Sequence, residues 1–453
     1  MKYAAYKESP VKWITEIPIH WSFIRGKNLY TKMQRPISDE DEIITCFRDG
    51  TVTLRRNRRT TGFTESLQEI GYQGIRKGDL VIHVMDAFAG SIGVSDSNGK
   101  GTPVYSVCQA KLDINNHYYA FLLREMARSG YIQSLYRGIR ERSSDFRFEV
   151  FGAQFYPVPP RVEQDQIVRF LDWKASEINK LIQLKQQQIK CLNEKLLRAM
   201  NDLITHGIGG TQPIVATNMD WAPEIPTHWS TSRIRNHFII LKRIAGSEGY
   251  DVYSVTQQGL KVRDVTVFEG QLAADYSGYQ FVYPGEFAMN HMDLLTGGVG
   301  IADHLGVTSP DYRVFKLVDT EQCYDQYYLR VFQLCYRRHA FYRFGRGAAT
   351  VGRWRLPATA FKNFEIPVPP YAEQVEIVRA IDEEETKTRR AIDCLTKQIE
   401  VLKELKTRLI ADVVTGKMDV RDVIIPDYEF IGEDVSSETD ADEIESEPEP
   451  EED

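Results

Sequence analysis

Two long stretches of the chain carry apolar residues in a seven-residue rhythm. In the first, one position reads Val168, Ala175, Ile182, Ile189, Leu196, Leu203, and its companion reads Leu171, Ile178, Lys185, Leu192, Ala199. In the second the positions read Val378, Glu385, Ile392, Ile399, Lys406, Val413 and Ile381, Thr388, Leu395, Leu402, Leu409. A rhythm held for more than three heptads in both stretches predicts a coiled coil rather than two lone amphipathic helices. Each stretch opens on two prolines, Pro159 and Pro160 or Pro369 and Pro370, which suit a first helical turn. A carboxylate follows, Glu163 or Glu373, where it complements the helix dipole. Helices of ~42 residues are roughly 60 Å long. A whole domain lies between them in sequence, which allows an antiparallel pair.

Elsewhere the pattern is shorter. Runs rich in β-branched and aromatic residues (79–84, 104–112, 313–317) predict strands, and Tyr118–Arg128 and Tyr327–Arg337 predict short helices. The two halves repeat each other. "WITEIPIHW" (Trp13–Trp21) matches "WAPEIPTHW" (Trp221–Trp229), and "YQGIRKGDLVIHVMD" (Tyr72–Asp86) matches "YQFVYPGEFAMNHMD" (Tyr279–Asp293). The match continues through Gly90/Gly297, Gly93/Gly300 and Gly99/Gly306 to "FYPVPPRVEQDQIV" and "EIPVPPYAEQVEIV". The expected fold is therefore α+β, with two similar domains separated by two long helices in an antiparallel coiled coil and an internal pseudo-two-fold repeat. The expected boundaries are 1–158 for the first domain, 159–207 for the first helix, 208–217 for a Gly/Pro linker, 218–368 for the second domain and 369–416 for the second helix. A closing segment, 417–426, and an acidic tail, 427–453, complete the chain. An antiparallel pair of helices sets two similar domains about a two-fold axis, as duplex DNA relates its strands.

Charge changes this picture in one respect. The net charge of -8 is concentrated at the end: residues 427–453 hold fourteen carboxylates and no Lys or Arg, so the remainder has 56 basic against 50 acidic residues. The body is mildly basic. The tail has too little apolar surface to fold; it reads either as a solubilising end or as a mimic of nucleic-acid charge. Six scattered cysteines without a C-x-x-C pair argue against a zinc site or a disulfide framework and for a reducing, cytoplasmic setting. No apolar run suits a signal peptide or a membrane span.

The W-x-x-x-I-P-x-x-W openings, the two P-V-P-P-x-x-E-Q phrases and the closing "RLIADVVTGKMDVRDV" (Arg408–Val423) together resemble the specificity subunit of type I restriction-modification systems, over about residues 11–425. In the first copy of the closing motif His206 aligns with Gly416. The resemblance implies a target-recognition domain in each half, reading a bipartite, asymmetric double-stranded DNA target. It implies helices that act as spacer and as assembly surface for two DNA adenine methyltransferase subunits, with restriction/translocase subunits joining them. S-adenosylmethionine, ATP and Mg would then belong to those partners and not to this chain.

The halves agree in framework and differ in certain loops, as two unlike half-sites require. "FRDGTVTLRRNRRTTGFTES" (Phe47–Ser66) holds Arg48, Arg55, Arg56, Arg58 and Arg59, a crowding of guanidinia that is costly without an anion. Arg is a frequent reader of guanine and a clamp for phosphate. The matching stretch "YSVTQQGLKVRD" (Tyr253–Asp264) offers Gln257, Gln258, Lys261 and Arg263, where Gln can pair with adenine or simply face solvent. A second pair of loops, "RGIRERSSDFR" (Arg137–Arg147) and "RFGRGAATVGRWR" (Arg343–Arg355), brings Arg140, Arg142, Arg147, Arg346 and Arg353. Trp13, Trp21, Trp221 and Trp229 repeat at framework positions and read as core.

Catalysis by this chain is not expected. "VPPR" and "VPPY" lack the Asn or Asp that an adenine methyltransferase places before its Pro-Pro to hold the base. "GVSDSNGKGT" (Gly93–Thr102) has the wrong spacing for a P-loop, and Gly101 stands where Ser or Thr is needed. No catalytic residue and no metal site is assigned. The remaining rival, a coiled-coil scaffold that never touches DNA, predicts no enriched DNA sequence.

Overall fold

The computed structural model describes residues 2–58, 70–135, 145–264, 275–348 and 353–432. The architecture is α+β with two long helices, Arg161–His206 and Tyr371–Val414. The chain forms two compact units, Met1–Gln186 with Thr396–Asp453, and Gln187–Leu395. Neither unit is a continuous half. Each joins one domain, the start of the helix that follows it and the end of the other helix, a composition that the linear order of domains expected from sequence does not show.

In the first unit a four-stranded antiparallel sheet has the order Tyr30–Lys32, Tyr105–Ala110, Leu80–His83, Ile92–Val94. In the second unit Phe238–Leu241, Arg313–Leu317, Phe287–Met289 and Val299–Ile301 follow the same order. A 13-residue helix packs into each core, Asn116–Arg128 or Asp325–Arg337. Both begin two residues before the apolar runs that predicted them. The earlier start is held by the repeated Gln: Gln164 Oε1 accepts from Asn115 N at 2.8 Å, and Gln374 Oε1 accepts from Tyr324 N at 2.8 Å.

The repeated phrases meet each other inside each unit. Glu163 is buried and accepts from Tyr3 Oη at 2.6 Å and Trp21 Nε1 at 3.0 Å, and it meets His20 Nε2 at 2.8 Å. Glu373 takes the same role with Trp229 Nε1 at 2.9 Å and His228 Nε2 at 2.7 Å. The opening W-x-x-x-I-P-x-H-W and the P-P-x-x-E-Q phrase are thus two sides of one joint, beyond the dipole role read from sequence. Trp21 and Trp229 are buried, as framework tryptophans should be. Trp13 and Trp221 are only partly buried; Trp221 stacks on Phe364 with ring centroids 5.9 Å apart.

Helix ends complete the units. In the first, Val413 and Val414 join the core of Trp21, Tyr118 and Ile167, and Tyr118 Oη donates to the Val414 carbonyl at 3.0 Å. In the second, Met200 and Ile204 join the core of Trp229, Tyr327 and Ile377. Gly416, at φ +77°, lies so close to Pro18 and Trp21 that a Cβ would fall 2.5 Å from Pro18 Cδ. Gly207, at φ +73°, sits against Trp229 in the same way. Gly207, not His206, is therefore the counterpart of Gly416; His206 is still helical, and the left-handed turn comes one residue later than the alignment expects. Within the first unit the helices run antiparallel, since Asn179 Oδ1 accepts from Lys406 Nζ at 3.1 Å and Lys185 Nζ donates to Gln398 Oε1 at 2.5 Å.

Two boundaries move. The expected linker 208–217 contains a strand, Ile214–Ala216, paired with Glu224–Pro226, because its β-branched residues repeat the pairing of Tyr6–Glu8 with Glu16–Pro18. The acidic tail expected from 427 is ordered at its start. Asn179 Nδ2 donates to the Ile431 carbonyl at 2.9 Å, and Ile431 N donates to Ser176 Oγ at 3.2 Å. Residues 433–453 lie outside the described residues.

Candidate nucleic-acid interface

The first candidate loop is the tip of a hairpin, Ile44–Cys46 paired with Val52–Leu54. Its counterpart pairs Tyr253–Thr256 with Gly259–Val262, leaving Gln257 and Gln258 as a two-residue turn that Gly259 closes at φ +115°. Both hairpins lie directly on the edge strand of the sheet. A Cβ at Gly93 would fall 1.9 Å from the Gly50 carbonyl oxygen, and one at Gly300 would fall 2.4 Å from Leu260 N. That contact explains the repeated glycines of the sequence: only a bare backbone lets the hairpin approach.

The basic residues of the first tip are not without counter-charge, which corrects the reading that their crowding calls for an anion. Arg48 Nη2 faces Asp86 Oδ1 at 3.4 Å, Arg56 Nη1 faces Glu42 Oε1 at 2.6 Å, and Arg58 Nη1 faces Asp49 Oδ2 at 2.8 Å. Arg55 Nε donates to Thr45 Oγ1 at 3.2 Å. Arg58 is also stacked 4.2 Å over Phe47, with only 19% of its side chain exposed. Burial pushes the Asp49 carboxyl up, but the Thr51 N–H and Arg58 together hold it below its ordinary range. Arg58 is thus built into the fold, whereas Arg48 and Arg56 are open to solvent and their pairs are easily exchanged for phosphate. Arg59 lies outside the described residues.

At the second tip Gln257 Nε2 donates to the Thr296 carbonyl at 3.3 Å, and Lys261 Nζ donates to Gln258 Oε1 at 2.8 Å. Arg263 N donates to the Val252 carbonyl at 2.8 Å, which fixes the outgoing backbone. These side chains are at the surface, with polar partners that water or a base edge can replace.

The second pair of loops reaches the same end of each central strand. Phe146 N donates to the Val84 carbonyl at 3.2 Å, next to Asp86, the partner of Arg48. Arg147 is exposed and paired with Asp145 at 2.5 Å. Arg140 and Arg142 lie outside the described residues. In the other unit Leu356 N donates to the His291 carbonyl at 2.8 Å. There Arg346 stands exposed on Arg346–Ala348, a strand paired with Arg353–Arg355, where Arg353 is placed by its backbone. In each unit, then, a hairpin packs on the edge strand and a return loop bonds to the end of a central strand. No group of carboxylates, His and Cys suited to a metal occurs among the described residues.

Residues 238–401 match the family model described as the type I restriction modification DNA specificity domain. The resemblance read from sequence is to the same family. The chain is similar to type I specificity subunits. A chain solved in work on complex assembly and conformational transition of the type I R-M system has the same fold at TM-score 0.62 and 13% identity, covering 89% of this chain and 99% of that one. The HsdS subunit from Thermoanaerobacter tengcongensis follows at TM-score 0.47 and 14% identity, covering 90% and 99%. The S subunit from M. genitalium stands at 0.32 and 11%, covering 91% and 99%. The part of the chain matched by the specificity-domain model contains the Gln257 hairpin, the central strands and the 346–355 return loop. Among the described residues no helix is long and apolar enough to cross a membrane.

Three basic residues of the matched segment are not among the candidate residues read from sequence: His291, Arg313 and Arg355. Arg313 belongs to a strand, and Arg355 ends a loop already rich in Arg. The signal was present in the repeat alignment, which sets them opposite Val84, Ser106 and Asp145.

Proposed function

We propose that this chain is the non-catalytic DNA-specificity subunit of a cytoplasmic type I restriction-modification complex. Residues 1–158 and 218–368 serve as target-recognition domains, one for each half of a bipartite, asymmetric duplex target. The two long helices pair as an antiparallel coiled coil, which sets the gap between the halves and gathers two adenine methyltransferase subunits and the restriction/translocase subunits. Cofactors of methylation and translocation belong to those partners.

The observation that carries this reading is the match of residues 238–401 to a DNA specificity domain, joined to the recurrence of the same sheet order in the first half. Two frames with the same strand order but hairpin tips of different chemistry, Arg48 and Arg56 in one and Gln257 and Gln258 in the other, suit two unlike half-sites. The candidate DNA-contacting set is Arg48, Arg55, Arg56, Arg59, Arg140, Arg142, Arg147, Gln257, Gln258, Lys261, Arg263, Arg346 and Arg353, with Arg58 holding its loop in shape.

The test is enrichment of random duplexes by the full chain co-purified with its methyltransferase partners. A two-part motif with a fixed gap is expected, with affinity that falls steeply as salt rises. Enrichment of no sequence, or of one uninterrupted motif, would overturn the reading.

A further inference from the structure

The two recognition domains share a backbone at three positions but not a charge. The bond from Leu356 N to the His291 carbonyl has its equivalent in the bond from Phe146 N to the Val84 carbonyl. Arg313 opens the strand Arg313–Leu317, where the first domain places Ser106 in Tyr105–Ala110. Arg355 precedes Leu356 as Asp145 precedes Phe146. A valine, a serine and an aspartate in one unit are thus replaced by a histidine and two arginines in the other.

Among the described residues the replacement leaves positive charge without a carboxylate partner. Arg313 is 5% exposed; its Nη2 donates to the Leu356 carbonyl at 2.8 Å and its guanidinium lies 4.8 Å over Phe361. Its buried Nη1 finds no partner among the described residues. Neither Arg313 nor exposed Arg355 has a carboxylate partner among the described residues, unlike Arg48, Arg56 and Arg58 of the first unit. His291 is half-buried, and its buried Nδ1 likewise finds no partner among the described residues. Burial and then the two guanidinia push its imidazole down to about 4, so it is neutral at physiological pH. Burial alone draws Arg313 down to about 10. A buried cation is normally kept with an opposite charge, because its desolvation is expensive.

We propose that His291, Arg313 and Arg355 form a phosphate site for the DNA backbone at the half-site read by the second domain, at positions where the first domain has Val84, Ser106 and Asp145. Arg355 and the neutral imidazole contact the phosphate oxygens, and Arg313, fixed by Leu356 and Phe361, supplies charge from beneath. An Arg fork matches two phosphate oxygens, and such contacts set register on the duplex without reading bases. The inference rests on the DNA-specificity reading above.

The experiment uses the full chain with its methyltransferase partners and the duplex that the wild-type complex enriches. Binding is measured against salt, and phosphate-ethylation interference is mapped on both half-sites. R355Q is expected to weaken binding about tenfold and to reduce the slope of log affinity on log salt by about 1, as the loss of one phosphate contact requires. Interference should vanish at phosphates of one half-site only, and the enriched bases should not change. R313Q should act in the same direction, with R313K restoring most of the binding; if R313Q does not fold, R355Q, an exposed position, decides alone. Wild-type slope and interference in R355Q, or losses at both half-sites, would overturn the proposal. Failure of the wild-type complex to enrich any sequence would instead overturn the specificity reading beneath it.

Discussion

Glu163 gathers a Tyr hydroxyl, a Trp indole and a His ring on one buried carboxylate. Replacing it with Gln keeps the shape but puts an amide donor where only an acceptor serves. The expected cost is about 1–3 kcal/mol for unsatisfied buried groups, which at this unit size lowers the thermal midpoint by roughly 2–12 °C. Calorimetry of E163Q checks it; an unchanged midpoint would show the joint to be incidental. Asp172, on the first long helix, gives a second test. Burial raises its carboxyl to about 6, so folding favours its neutral form. That contribution is full below the unfolded value near 4 and is lost as pH rises from about 4 through about 6. Asp172→Asn should therefore raise the midpoint above pH 7 by a few degrees, at roughly 2–4 °C per kcal/mol, and change little at pH 4. A gain of equal size at both values would exclude the titration as its cause.

At the scale of elements, much was legible where sequence repeats itself. Heptads, strand runs and paired glycines lie in local patterns, and from them came the helices and the strands at 79–84, 104–112 and 313–317, but not the hairpins or the shorter sheet strands. Trp21 and Glu163 were each legible too, but their bond was not, because nothing local ties positions 142 residues apart. The same reason hid Asp86 as the partner of Arg48 and made the arginine-rich loop look less balanced than it is. Among the candidate site residues the side-chain types were readable and their commitments were not: Arg58 and Arg56 look alike in sequence, and only packing on Phe47 separates them. The proposed coiled coil, if it continues at the antiparallel register of Asn179 with Lys406 and Lys185 with Gln398, would set Cys191 opposite Cys394. Both cysteines are exposed and the other four are buried. A short bismaleimide should join these two within one chain, detected by mass spectrometry of the linked peptides. Recovery of only mono-modified Cys191 and Cys394 would refute that register.

For the whole molecule the proposed spacer makes a quantitative demand. Seven residues inserted between Gln186 and Gln187, with seven more between Leu395 and Thr396, preserve the heptad phase and add about 10 Å to each helix. The gap in the enriched target should lengthen while both half-sites keep their bases. An unchanged gap would refute the measuring role.

The closure of the first core by Val413, Val414 and Gly416 also imposes an order in time. On the ribosome the unit Gln187–Leu395 is fully synthesised before the residues that complete the unit begun at Met1 have been made. At about 5–20 residues per second, the amino-terminal domain waits on the order of 10–50 s for its last core residues. The part of the protein that is born first is thus the last able to finish folding. Until then its Trp21 core lacks Val413 and Val414, leaving apolar surface of the kind that chaperones shield.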